Sequence, residues 1–378
     1  MKFAHIADSH LGFRQYGLYQ REEDFYDVFK RNVDKIIEKN VDFVIHSGDL
    51  FNMSKPSPKT LLIFQEELLK LKEANIDVFA VAGNHDTVMR KDALPPQVLS
   101  KNLGLRLISP KNPYHIHEDI FIGGFPYQSK PYKSNLVEAF KLLSREAEKY
   151  EKRILVLHQG IDKYIPLAFE LEIADIPKNF NYYGCGHVHS RIIDDFGNGK
   201  LAYPGSTEIC RKNEVKDYQK NGKGFYMVDI SRDVPKIEKI NVKPRREFII
   251  KNIAYPNLNQ DISNLKEWIK GLDEKPILHI TVEGGNFNRS KVHEKLNEEL
   301  GDLVLSMRPD FKPESLMKTE KNADLSTLNP KKLLVNSLSE YDNEDIDNLA
   351  ISLLNNLSKD KTEDAERIVE KFYNEYFD

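Results

Sequence analysis

Seven side chains of metal-binding type stand in five short segments: Asp8-Ser9-His10, Gly48-Asp49-Leu50-Phe51, Gly83-Asn84-His85-Asp86, His158-Gln159-Gly160 and Gly186-His187-Val188-His189. Each segment follows a hydrophobic run and opens a polar or glycine-containing turn. Asp, Asn and His offer oxygen and nitrogen donors, and the set demands no thiolate. Such donors suit Mn²⁺, Fe²⁺ or Zn²⁺, and the histidines make Mg²⁺ a poorer match. Asp8, His10, Asp49, Asn84, His158, His187 and His189 are too many ligands for a single ion, but they fit two ions that share one carboxylate. Ion pairs of this kind, roughly 3.5–4 Å apart, clamp the attacking and leaving oxygens of an in-line displacement at phosphorus. A lone Asp-x-His or Gly-Asp is weak. The ordered series of five is specific, and it reads as a two-metal phosphoesterase.

The elements that must position these residues alternate along the first 240 or so positions. Strands are expected at 2–7, 42–46, 78–82, 120–124, 154–157 and 181–183, with helices such as 23–39 and 58–74 between them. This predicts an α/β domain whose ligands gather beyond the carboxyl ends of the strands. Later segments at 201–203, 224–230 and 237–242 read as antiparallel strands of a second sheet packed on the first. The fold class expected is therefore a two-sheet sandwich flanked by helices, over residues 1–243. At Lys243-Pro244-Arg245-Arg246 the pattern resets. Residues 244–309 read as a small α+β domain of order β-α-β-α-β (248–253, 262–270, 277–282, 290–299, 303–307). A polar linker is expected at 310–327 and a helical segment at 328–378. In that segment Ile346, Leu349, Leu353 and Leu357 recur at helical spacing, as do Ile368, Phe372 and Tyr376. Some fifty residues in that form make a poor core alone, so the tail is expected to dock on something else.

Around the ligands stand longer strings: Ala7-Asp8-Ser9-His10-Leu11-Gly12, Gln20-Arg21-Glu22-Glu23-Asp24-Phe25, Gly48-Asp49-Leu50-Phe51 with Lys55-Pro56-Ser57, Leu157-His158-Gln159-Gly160 and Tyr203-Pro204-Gly205-Ser206. The chain thereby resembles the calcineurin-like metallophosphoesterase superfamily and, within it, the archaeal (SbcD-type) Mre11 family of double-strand-break repair nucleases. The resemblance covers residues 1–240 well; beyond them only the order of domains agrees. It implies that Asp8, His10, Asp49 and His189 hold one ion and Asp49, Asn84, His158 and His187 the other, with two Mn²⁺ per subunit. It implies His85 as the acid or phosphate-orienting residue, its ring held by Asp86. Many relatives carry a second histidine just after Gly-Asp-Leu-Phe, where this chain has Asn52. Asn can hydrogen-bond phosphate but cannot act as an acid near neutral pH, which bears on exonuclease strength.

The resemblance further implies a 3′→5′ exonuclease on double strands and an endonuclease on single strands. Its partners would be DNA, a second copy of the chain, and a Rad50-type ABC/SMC ATPase gripped by the C-terminal helices. Helix 58–74 has an apolar stripe wider than a surface helix needs. Leu61, Phe64 and Leu68, with Val98, Leu99 and Leu103, are accordingly expected at a homodimer interface.

Other residues carry blander readings. His115-Ile116-His117 lacks a glycine turn and a carboxylate cluster, so metal binding is not expected there. His5 and His46 sit mid-strand as hydrogen-bonded core residues, and Cys185 reads as packing. Gly284-Gly285 is no phosphate loop, since no Gly-Lys-Ser/Thr follows. Lys55, Arg90, Lys91, Arg211, Lys212, Arg245 and Arg246 are candidate phosphate contacts, while Phe13, Tyr16 and Tyr127 could stack on bases or sugars.

Composition sets the outer bounds. With 40% hydrophobic and 30% charged residues and no apolar run of membrane length, the chain reads as globular. Two cysteines make no disulfide framework and suit a reducing compartment, so a cytoplasmic location is expected. The net charge of −4 does not advertise a nucleic-acid binder, but the acidity is concentrated from Leu338 onward and leaves the remainder mildly basic. Two other functions fit the same ligands. One is a phosphatase or small-molecule phosphodiesterase, which would usually add phosphate-gripping arginines to the ligand turns. The other is a non-catalytic scaffold bridging DNA ends, which would need neither the full ligand set nor His85.

Overall fold

The computed structural model describes residues 1–87, 95–314, 344–357 and 362–377, and in it the alternation of strand and helix resolves into two six-stranded sheets. The first sheet contains β1 (Lys2–Ile6), β2 (Phe43–Ser47), β3 (Asp77–Val81) and β4 (Leu105–Leu107), parallel and in that order. The second contains β5 (Tyr114–His117), β6 (Ile120–Phe125), β7 (Lys152–His158), β8 (Tyr182–Gly186), β9 (Ile192–Phe196) and β10 (Gly199–Tyr203), in the spatial order β5-β6-β7-β8-β10-β9. Strands β11 (Gly224–Asp229) and β12 (Lys236–Asn241) pair antiparallel onto the outer side of β1.

This corrects the expected partition. The strands expected near 120, 154 and 182 leave the first sheet to build the second, and the late strands β11 and β12 join the first. Central strands buried on both faces read as continuous apolar runs, so the sequence carries no mark of which of two sheets receives them.

Residues alternate across each strand of the first sheet. Phe3, Phe43, Ile45, Phe79 and Val81 face the second sheet and meet Ile122, Ile154, Val156 and Tyr182 in a dry inter-sheet layer. Ala4, Ile6, Val44, Val78 and Ala80 face outward under helices α1 (Tyr19–Glu38) and α2 (Pro58–Glu73), against Tyr26, Phe29, Val33, Phe64 and Leu68. Helix α2 begins where Ser57 accepts from the Thr60 N–H at 3.2 Å and Pro58 presets the first turn. Helix α3 (Lys133–Ala147) covers the other sheet with Leu136, Phe140 and Leu143. The short α4 (Val215–Asn221) precedes β11.

Beyond β12 come β13 (Phe248–Ala254), α5 (Leu258–Lys270), β14 (Ile277–Glu283), α6 (Arg289–Leu300) and β15 (Ser306–Lys312), with a three-stranded sheet ordered β13-β14-β15. The third strand outruns the boundary expected at 309 and takes in the first residues of the expected linker. Pro309 is tolerated because β15 is an edge strand. The chain divides into two compact units, and the cut does not fall at residue 243. The larger contains Met1–Asn252, Asn259–Ile280 and His293–Asp310; the smaller contains Ile253–Leu258, Thr281–Val292 and the described residues from Phe311 onward. In the smaller unit, the Tyr255 and Phe287 rings stack at 4.7 Å, and helices α7 (Glu344–Leu357) and α8 (Thr362–Phe377) pack on each other.

The residues expected at a dimer interface divide here between core and surface. Phe64 and Leu68 are 4% and 2% exposed in this chain's own core, and Leu61 and Leu103 pack against that core. Phe64 and Leu68 are thus sealed within this chain, while Leu61 and Leu103 remain partly exposed. The exposed apolar side chains of this region are Leu62, Leu69 and Leu99, while Val98 is half-buried. In the tail, α7 carries Ile346, Leu349 and Leu353 and α8 carries Ile368 and Phe372, all partly buried; the side chains of Leu357 and Tyr376 lie outside the described residues.

Candidate metal centre

The carboxyl ends of β1, β2 and β3 from one sheet and of β7 and β8 from the other deliver the five ligand segments. The loops are laced together by backbone. Asp8 N–H donates to the Gly48 carbonyl and His10 N–H to the Asp49 carbonyl, both at 3.0 Å. Asp8, His10, Asp49 and His187 all adopt positive φ (51°, 44°, 51° and 87°), a conformation that side-chain-bearing residues avoid unless the surroundings impose it. Gly48 (φ +90°) and Gly83 are required for close approach: a Cβ on the first would strike the His158 ring, and one on the second the Asp49 carboxylate.

Asp49 lies between two groups of donors. On one side, His10 Nε2 sits 3.8 Å from Asp49 Oδ2 and 3.1 Å from His189 Nε2. On the other, His158 Nε2 lies 3.4 Å from Asp49 Oδ2 and 3.0 Å from Asn84 Oδ1, and His187 Nδ1 is 3.0 Å from the same Asn84 oxygen. The outward nitrogens are committed elsewhere. His158 Nδ1–H donates to the Ser47 carbonyl at 2.7 Å and His189 Nδ1–H to Glu214 Oε1 at 2.8 Å. Both rings are thereby fixed with an Nε2 lone pair turned inward, the tautomer that a metal needs. His10 Nδ1 is buried without a hydrogen-bond partner among the described residues. A crowd of inward lone pairs around a buried carboxylate fits cations and little else.

The charges agree. Burial alone would raise the Asp49 carboxyl, but His158 and the other facing histidines hold it well below the usual carboxylate range. Burial would lower His158, but Asp49 overrides it and pushes the ring up to about 9. For His187, burial, with His158 nearby, outweighs the pull of Asp49 and lowers the ring to about 3.

Asp8 lies fully buried at the floor of the centre: both its oxygens accept from the His187 N–H, at 3.0 and 3.2 Å, and its Oδ1 is 4.0 Å from His158 Nδ1. Asp86 does not hold the His85 ring. It is fully buried and accepts from the N–H groups of Gly83, Leu50 and Phe51, which pins two ligand loops to each other. Burial, aided by the Asp49 charge, pushes its carboxyl up to about 6. The His85 ring is held instead by the Asn52 carbonyl, which accepts from Nδ1–H at 2.8 Å, while its backbone N–H donates to Asp49 Oδ1 at 2.9 Å. Asn52 thus acts on His85 through its backbone, whatever its side chain does.

The centre opens into a cleft of about 560 Å³ lined by His10, Asp49, Asn84, His85, His187 and His189, with Phe13, Cys210 and Arg211 on its walls. Arg246 is not available to phosphate, because it is buried against Asp24 at 2.6 and 3.0 Å, and Arg245 pairs with Glu274. Arg90 and Lys91 lie outside the described residues. Tyr16 turns to His279, its hydroxyl 3.0 Å from Nε2. His115 and His117 pack on Phe79 and, for His117, Phe43, in strand β5.

Sequence reasoning missed three residues of the centre's surroundings. Glu214 accepts from His189, from the Cys210 N–H at 3.2 Å and from the buried Lys223 ammonium at 2.7 Å. Those cations keep it ionised against the pull of burial. Cys210 brings its sulfur into a cluster with His10 and His189. Arg21, fully buried, donates to Asp24, Gln15, Glu208 and the Ile209 carbonyl and so anchors the segment that carries Cys210. Only Arg21 had a signal, as part of the string Gln20–Phe25.

The calcineurin-like phosphoesterase family matches residues 1–191. The DNA double-strand break repair protein Mre11 of Methanocaldococcus jannaschii is 39% identical over 383 residues, spanning 100% of both chains. The proteins of the same description from Saccharolobus solfataricus and Methanococcus maripaludis are 35% and 40% identical, covering 96% and 82% of this chain and 96% and 83% of their own. Among solved structures, a dimetal phosphatase from Danio rerio superposes with a TM-score of 0.39 at 12% identity, over 64% of this chain and 97% of that one, too distant to carry an argument.

Proposed function

This chain belongs to the Mre11 family of calcineurin-like phosphoesterases, metal-dependent hydrolases, and from that premise we propose that it is a Mn²⁺-dependent nuclease processing DNA ends in double-strand-break repair. The observation that carries the reading is the Asp49 carboxylate set between two groups of inward-facing donors, with the outer nitrogens of His158 and His189 locked. Asp8, His10, Asp49 and His189 would hold one ion, and Asp49, Asn84, His158 and His187 the other. Two such ions, when bound, neutralise phosphate charge and ease deprotonation of a water. The chain's own residues do the rest. The loops fix the donors in strained backbone so that nothing need reorganise, and the cleft walls at Phe13 and Arg211 receive the nucleic-acid strand. His85, its Nδ1–H given to Asn52, presents Nε2 to the cleft; protonated there, it can orient the phosphate or pass a proton to the leaving oxygen.

The finer roles follow the family resemblance: 3′→5′ exonuclease on duplex, endonuclease on single strands, a homodimer, and a Rad50-type ATPase bound through α7 and α8. The exposed Leu62, Leu69 and Leu99 supply the apolar face for the dimer. Residues 244–309 would help position the duplex. No described helix is long and apolar enough to cross a membrane.

Arg211 on the cleft wall is the one observation favouring a phosphatase, since monoester enzymes grip the extra charge with arginine. Cleavage of a linear duplex labelled at one 3′ end, with Mn²⁺, Mg²⁺ or EDTA and a phosphomonoester in parallel, separates the two. Mn²⁺-dependent release of label, absent in EDTA and in His85→Gln although that variant still binds metal, is the expected result. Rapid monoester turnover with intact DNA would move the protein to the phosphatases, and a fully active His85→Gln would remove the role given to His85.

A further inference from the structure

Cys210 is out of place among hard ligands. It is 7% exposed on the wall of the cleft, its sulfur 3.6 Å from the Glu208 carbonyl. Ligand atoms of His10, His189 and Cys210 all lie within 4.8 Å of one another. Its position is imposed from several sides. Its N–H donates to Glu214, the same carboxylate that fixes His189, and its carbonyl accepts from Gln15 Nε2 at 2.8 Å. Gln15 in turn is held by the buried Arg21. A second feature of the spot points independently to a cation: His10, 3% exposed, sets its Nε2 3.1 Å from the Nε2 of His189, whose Nδ1–H is already given to Glu214.

Two imidazoles and a thiol form a donor set different from the Asp/Asn/His set of the other ion. Thiolate shifts preference toward thiophilic cations, Zn²⁺ above Mn²⁺. We propose that Cys210 is a metal ligand of the His10–His189 side of the centre, giving that side a selectivity for thiophilic cations such as Zn²⁺ that its Asp and His residues alone would not have. Binding deprotonates the sulfur: the S–H bond breaks, the proton goes to solvent, and the sulfur lone pair forms the bond to the cation. The two sides of the centre then differ, one able to retain Zn²⁺ while the Asn84–His158–His187 side, without sulfur, takes Mn²⁺. The inference rests on the two-ion reading above, and the experiment keeps the two apart.

Metal-free full-length protein is titrated with Cd²⁺, followed by thiolate-to-cadmium charge-transfer absorption in the near ultraviolet, while Mn²⁺ binding is followed in parallel by the loss of the free-ion paramagnetic resonance signal. The expected result is a band that saturates at a single equivalent, is lost in Cys210→Ser and persists in Cys185→Ser, whose thiol is buried among the core residues of the second sheet. Zn²⁺-over-Mn²⁺ selectivity should fall about tenfold or more in Cys210→Ser, since even losing an outer partner of a ligand costs that much. Cadmium-113 resonance on the unmodified chain reports one sulfur ligand without needing any variant to fold. Normal Mn²⁺ binding with no band and a nitrogen/oxygen-only cadmium shift overturns the role of Cys210 and leaves the two-ion centre standing. Failure to bind either metal overturns the centre itself.

Discussion

His189 is oriented by a carboxylate twenty-five positions further along the chain. Glu214 takes its Nδ1–H and is itself held by Lys223, so the ring cannot rotate its lone pair away from the cleft. Glu214→Gln keeps the shape and some hydrogen bonds but loses the charge that strengthens His189 as a donor. Mn²⁺ affinity should drop about 10–100-fold with the fold retained, measured by paramagnetic resonance titration beside circular dichroism. Unchanged affinity would mean that His189 is no ligand. At this scale the seven candidate ligands were legible because each sits at a turn following a strand, where type and order are readable. Glu214 and Cys210 were not, because they reach the centre from a separate loop that bears no spacing relation to any ligand segment. Asp86 shows the converse error. It follows His85 directly, yet adjacent residues on a tight turn diverge, and the carboxylate faces backbone N–H groups instead of the neighbouring ring.

Helix α2 illustrates what an element's pattern can and cannot say. Its apolar stripe was legibly too wide for a single buried face, and both halves are real. Which half is covered depends on α1 and the first sheet, and amphipathic spacing does not encode that. Phe64 stacks edge-on with Phe51 at 5.4 Å and belongs to the core, while Leu62 and Leu69 are 56% and 39% exposed. The two faces should respond differently to substitution. Phe64→Ala should cost about 3–5 kcal/mol in denaturant unfolding through the cavity it leaves. Leu62→Glu combined with Leu99→Glu should change monomer stability by no more than about 0.5 kcal/mol per site and should split the dimer proposed above, seen by light scattering on a sizing column. A double variant that still elutes as a dimer would place the interface elsewhere. The same limit explains the sheets: strands and their order were readable, but membership of one sheet or the other is decided by pairing partners distant in sequence.

Within the apolar layer between the two sheets a few polar groups are sealed, and these give the fold a pH dependence separable from metal binding. His5 of β1 meets Ser47 Oγ at 2.7 Å and the Tyr182 hydroxyl at 2.8 Å, and Ser47 donates on to the Gly184 carbonyl at 3.0 Å. Since Ser47 has spent its proton, His5 must donate from Nε2 and accept from Tyr182 at Nδ1, so the bridge across the sheets requires the neutral ring. Burial, with His46 nearby, lowers His5 well below 6.5, and burial lowers His46 to about 3. In each case the unfolded chain takes a proton that the folded one refuses. The stabilisation is therefore present above pH 6.5 and is lost as the pH falls, at up to about 1.4 kcal/mol per pH unit for each ring. Asp86, raised to about 6, acts in the opposite sense, because its folded form gains a proton first and recovers stability as the medium turns acid. The total slope therefore mixes signs, and the informative quantity is a difference. With chelator present at every pH to exclude metal release, urea unfolding of wild type and His5→Gln between pH 7 and 5 should give slopes that differ by about one proton, the variant losing less. Parallel slopes would mean that His5 accepts its proton inside the fold and that the bridge between the sheets survives with a charged ring.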